Sequence, residues 1–128
     1  MTRRSSRSLR PVILVAILIA LGSLSGRAGE VVEIRLHGRY YSEPATVQIT
    51  VAVEPDHANK TLRVEADGDR MFRATEVTLL GEQDKRLHVV EFKNLPAGEY
   101  ELRAEVLSNV AVRGLARQEL YVSGIGGR

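Results

Sequence analysis

Phe92-Lys93-Asn94-Leu95-Pro96-Ala97-Gly98-Glu99-Tyr100-Glu101-Leu102-Arg103-Ala104-Glu105-Val106 decides the fold. An apolar strand ends before Pro96. After Gly98 a second strand opens, with Tyr100, Leu102, Ala104 and Val106 alternating with Glu99, Glu101, Arg103 and Glu105. A repeat of two sends the first set to one face and the charges to the other. Pro96 fixes φ and has no N–H for a sheet ladder, and Gly98 tolerates backbone angles closed to other residues, so the chain turns a corner between the strands.

The same period runs outward in both directions. Val32, Ile34 and Leu36 alternate with Glu33, Arg35 and His37, and Gly38 to Pro44 reads as a turn region holding Tyr40 and Tyr41. Val47, Ile49, Val51 and Val53 form the most regular run, and Glu54 to Asn59 breaks it. Leu62, Val64 and Ala66 share a face, and Asp67-Gly68 carries the strongest hairpin-turn signal, because a tight hairpin needs positive φ. Met71 to Leu80 is less regular, with Val77 and Leu79 as its inward pair; Gly81 to Lys85 is a polar loop. In Leu87 to Phe92, inward Val90 and Phe92 would bring His88 with them. The chain turns at Ser108-Asn109 or in a loop reaching Gly114, and a last strand covers about 116–122. About seven short strands and no helical repeat predict an all-β fold, a single antiparallel two-sheet β-sandwich over 29–123, with a flexible tail over 124–128.

Residues 1–28 have the layout of an export signal, a helix preceding the sandwich. Four arginines lie in the first ten residues, Val12 to Leu21 is unbroken apolar sequence, and small residues follow. The expected cut is after Ala28, with Ser25 the next choice. The alternative is an uncleaved anchor touching the membrane through 11–24, although a spanning helix needs about 20 apolar residues. Ser6 stands where a twin-arginine signal would place an apolar residue, so the general secretory route is expected. All sixteen acidic residues but only thirteen of the eighteen basic ones lie beyond residue 28, a net charge of −3 there. The folded part therefore does not draw nucleic acid through net charge. The chain has no cysteine, which excludes disulfides, thiolate metal sites and thiol nucleophiles.

At Leu95-Pro96-Ala97-Gly98-x-Tyr100 the chain resembles the corner of bacterial immunoglobulin-like and fibronectin type III-like domains. The resemblance extends loosely from Glu30 to Gly124. It implies that the chain crosses between sheets here, that Leu95 and Tyr100 match the corner residues, and that the tyrosine hydroxyl reaches nearby backbone. Carboxypeptidase-regulatory-like and transthyretin-like modules carry similar stretches, so strand order stays open between fibronectin III-like and transthyretin-like. With no Trp and no Cys, a disulfide-bonded antibody-type domain is excluded.

The search for chemistry predicts no catalytic residues, no cofactor and no metal. His37, His57 and His88 lie on separate elements without ligand spacing. Asp56, Asp67 and Asp69 occupy two expected turns that would have to converge to hold calcium, and aspartate is also an ordinary turn former. After the leader no serine sits in a Gly-x-Ser-x-Gly setting and no glycine-rich phosphate loop occurs. Tyr40, Tyr41 and Asp56 are the candidates for partner contact, in loops 38–45 and 55–60; loop 108–115 is a third recognition segment. The expectation is an exported, non-catalytic binding module of the bacterial cell envelope whose partner is a protein or envelope component. The alternatives are a membrane-anchored structural accessory and, with less support, a small metal-dependent hydrolase.

Overall fold

The computed structural model describes residues 31–124, so the expected signal helix and residues 125–128 of the expected tail lie outside the described residues. These residues form eight strands, most of them on alternating apolar residues: β1 (Val32–Arg35), β2 (Tyr40–Ser42), β3 (Ala45–Val53), β4 (Thr61–Gly68), β5 (Phe72–Thr78), β6 (Leu87–Leu95), β7 (Gly98–Leu107) and β8 (Val112–Ser123). One short 3-10 turn, Gly81–Gln83, separates β5 from β6. Among the described residues no helix is long and apolar enough to cross a membrane.

The strands form two sheets, β1-β3-β6 and β2-β8-β7-β4-β5. Their inward rows meet in one core: Val47, Ile49 and Val51 from β3, Leu62 and Val64 from β4, Leu102, Ala104 and Val106 from β7, and Leu120 from β8. Burying each Val, Leu or Ile side chain contributes about 1.5–3 kcal/mol, and no disulfide adds to it. The described chain is all-β in two facing layers, as the alternation predicts.

The corner at Pro96 joins the layers, with β6 in one sheet and β7 in the other. Leu95 is fully buried, and the Tyr100 hydroxyl donates to the Pro96 carbonyl at 2.6 Å. Gly98 sits at φ 152°, a region other residues rarely adopt. The Ala97 amide donates to Glu43 Oε1 at 2.8 Å, and the Glu43 amide donates to the Ser123 carbonyl at 2.9 Å, so the corner is also tied to the end of β8.

Several expectations need correction. Asp67-Gly68 is not the hairpin turn, because β4 stays paired through Gly68, which lies opposite Tyr100. The turn comes later, where the Gly68 amide donates to the Met71 carbonyl at 2.8 Å. Glycine is required at 68 for space: a Cβ there would come within 2.7 Å of the Tyr100 ring. Tyr40 and Tyr41 lie not in a loop but on β2, which pairs in parallel with β8. Among the described residues the strand count is therefore eight, and the sheets are not purely antiparallel. The last strand begins at Val112, which shortens the 108–115 loop to 108–111; there the Ser108 hydroxyl accepts from the Val110 and Ala111 amides.

Candidate functional site

The outer face of the five-stranded sheet gathers most of the charged strand residues. Register places Glu99 of β7 opposite Tyr121 of β8, Glu101 opposite Glu119, and Arg103 opposite Arg117. On the other side of β7, Glu65 and Asp67 of β4 flank Arg103 and Glu101. Arg103 is the hub, its Nη2 lying 3.1 Å from both Glu65 Oε1 and Asp67 Oδ2 and its Nη1 3.4 Å from Glu101 Oε1. Arg63 Nε meets the other oxygen of Glu65 at 2.7 Å. These side chains neutralise one another on a central strand. Because β7 lies between β8 and β4, its charges do not guard a sheet edge.

At one end of this face the charge gives way to aromatic surface. Parallel pairing of Tyr40 with Tyr121 brings the two rings to a stack, with centroids 5.3 Å apart and planes 17° apart. Tyr40 remains 80% exposed. The Tyr121 hydroxyl donates to Glu119 Oε1 at 2.6 Å; that bond, and then the carboxylate's charge, raise the phenol's pKa above its usual value. Arg39 is fixed beside the stack: its carbonyl accepts from the Tyr121 amide at 2.7 Å and its Nη2 donates to Gln118 Oε1 at 3.0 Å. Two depressions flank the tyrosines. One, of about 190 Å³, is lined by residues that include Asp69, Glu99, Glu119 and Tyr121; the other, of about 290 Å³, includes Arg39, Arg117 and Gln118. Both are smaller than the pockets that engulf a drug-sized ligand. The surface suits contact more than enclosure.

The three candidate contact residues do not form one site. Tyr41 points the other way from Tyr40 and packs, half-buried, against the core. Asp56 belongs to the far end of β8. Its Oδ1 accepts from the Ala58 amide at 2.8 Å and lies 3.2 Å from Arg113 Nη1. Arg113 also donates to Oδ1 of buried Asn59 at 3.0 Å, while Asn59 Nδ2 donates to the Glu54 carbonyl at 2.9 Å. The Ala58 amide first, aided by the charges of Arg113 and His57, holds the Asp56 carboxyl below its usual range against the opposing effect of burial. Arg113 and Tyr121 are eight residues apart on one strand, roughly 26 Å at the usual rise. Sequence reasoning missed Tyr121 because Tyr-Val-Ser at 121–123 reads simply as a strand end, with nothing to align it with Tyr40.

The aspartates do not converge either, since Asp56 lies before the start of β4 whereas Asp67 and Asp69 lie at and just beyond its other end. Among the described residues no group of three His, Cys, Asp or Glu is placed to hold a metal. His57 is exposed beside Asp56. His88 is buried with Val90 and Phe92: it is 3% exposed, and its enclosed Nε2 meets no hydrogen-bond partner among the described residues.

No protein-family model and no curated protein matches the sequence. Solved structures similar in fold include the CARDB domain of a Pyrococcus furiosus protein, with a TM-score of 0.53 and 15% identity over 73% of this chain and 93% of that one. They also include the superoxide reductase (neelaredoxin) of Ignicoccus hospitalis, with a TM-score of 0.50 and 14% identity over 73% of this chain and 79% of that one. At such identities the likeness concerns the fold alone.

Proposed function

We propose that the chain is an exported, non-catalytic interaction module of a bacterial cell envelope, with a sandwich of the immunoglobulin-like or fibronectin III-like type. It binds a protein or another envelope component through the Tyr40–Tyr121 end of the five-stranded sheet. The observation that carries this reading is the exposed tyrosine stack on an otherwise charged face. Tyrosine offers a large, rigid, amphipathic contact surface at low conformational cost, and β2–β8 pairing orders both rings before any partner arrives. Glu99, Glu119, Arg39 and Arg117 supply the polar rim that surrounds such contacts.

Other features support the remaining parts of the reading. The leader sequence supports export, and the Tyr100–Pro96 bond supports the domain type. Shallow depressions and mutually neutralised charges support binding without catalysis. The test is a photo-crosslinking residue placed at position 40 or at position 57 in the producing cells. Position 40 yields a discrete adduct and position 57, at the opposite end of β8, yields none. Equal labelling at both positions, or none at 40, overturns the assignment.

A further inference from the structure

β6 ends the three-stranded sheet, and its outer edge is unpaired among the described residues. The ladder fixes which backbone groups point outward. The Arg86 carbonyl accepts from the Val53 amide at 2.8 Å, so Arg86, His88 and Val90 direct their amides and carbonyls toward β3. Leu87, Val89 and Glu91 direct theirs away. The next outward carbonyl, at Lys93, already accepts from Arg73 Nη1 at 2.5 Å. The open edge therefore covers 87–91, and neither proline nor a register shift interrupts it. On the same strand Leu87 and Val89 are exposed on the outer face, opposite Ala52 and Thr50 of β3.

The other edges are less suited to pairing. β1 has four residues and β2 three. The outer row of β5 is Phe72, Ala74, Glu76 and Thr78, with no basic residue to neutralise Glu76 in a second copy. β6 does have such complementarity. In one antiparallel register, Leu87 faces Val89 of a second copy and Lys85 faces its Glu91, and the same contacts recur reciprocally. A shift by one pair in one direction sets Lys85 against Lys93 and Leu87 against Glu91. A shift in the other direction leaves Lys85 opposite Val89. Within its own strand Glu91 makes one long ion pair, to Lys93 Nζ at 3.9 Å.

We propose that β6 pairs with β6 of a second copy of this chain about a two-fold axis beside His88, an isologous contact. Leu87 and Val89 exchange backbone hydrogen bonds across the axis, and the two three-stranded sheets become one of six strands. Leu87, Val89 and Ala52 of both copies then form a shared apolar strip bordered by Lys85–Glu91 pairs. The surface is separate from the tyrosine stack, so either assignment can fail without the other.

The test is light scattering and sedimentation of the full chain, with circular dichroism to verify folding of each variant. The expected mass is twice that of the chain. Lys85→Glu or Glu91→Lys alone weakens dimerisation at least tenfold, and the Lys85→Glu/Glu91→Lys pair restores it. Amide exchange at Leu87 and Val89 slows as concentration rises. A single-chain mass at all concentrations overturns the proposal. So does a dimer indifferent to both single changes, or a double variant no better than the single ones.

Discussion

Gly68 and Tyr100 face each other across β4 and β7, and each accounts for the other. The ring covers the glycine, and the hydroxyl reaches on to the Pro96 carbonyl. Replacing Tyr100 by Phe deletes only that hydrogen bond and is expected to cost about 1 kcal/mol. Gly68→Ala overpacks the site and is expected to cost about 1–3 kcal/mol, because the ring is buried and has nowhere to move. Denaturant melts of both variants check these values. The tyrosine's part in the corner follows from its place after Leu-Pro-x-Gly. The glycine's role was hidden, since Asp-Gly signals a turn locally and only the register reveals the ring above it.

Among the elements, strands whose two faces differ in polarity were legible. The inward rows of β3, β4 and β7 follow directly from their period of two, because one register buries every apolar residue and a one-residue slip exposes them all. β2 offered no such signal. It is three residues long, begins with two tyrosines and finds its partner β8 about eighty residues later. The start of β8 was hidden by Arg113 and Gly114, whose reasons are tertiary: Arg113 serves Asn59 and Asp56, and a Cβ at Gly114 would meet Val31 and Val32 at 3.0–3.1 Å. That network fixes the loop between β3 and β4 and predicts a pH dependence. The folded-state pKa of Asp56 is depressed, so its contribution to stability is complete above its ordinary value near 3.8 and is lost as pH falls through the lower folded value. Melting temperatures taken downward from pH 5 are expected to fall less steeply for Asp56→Asn than for the wild type. Parallel curves would show that the carboxylate is not coupled to folding.

At the scale of the whole molecule, each end of the five-stranded sheet has a different character. One end is locked by the hydrogen bonds of Asn59 to Arg113 and Glu54 and by the Arg113–Asp56 ion pair. The other presents two ordered aromatic rings to solvent. The pairing of residues about eighty positions apart made the latter surface invisible to local sequence patterns. The most direct measurement is retention of an envelope partner by immobilised wild-type protein and by the Tyr40→Ala/Tyr121→Ala variant, with the folding of each verified by melting. The stack is expected to behave as a hot spot, so the variant should lose about tenfold or more in affinity while remaining folded. Undiminished retention of the same partner by the folded variant would contradict the assignment.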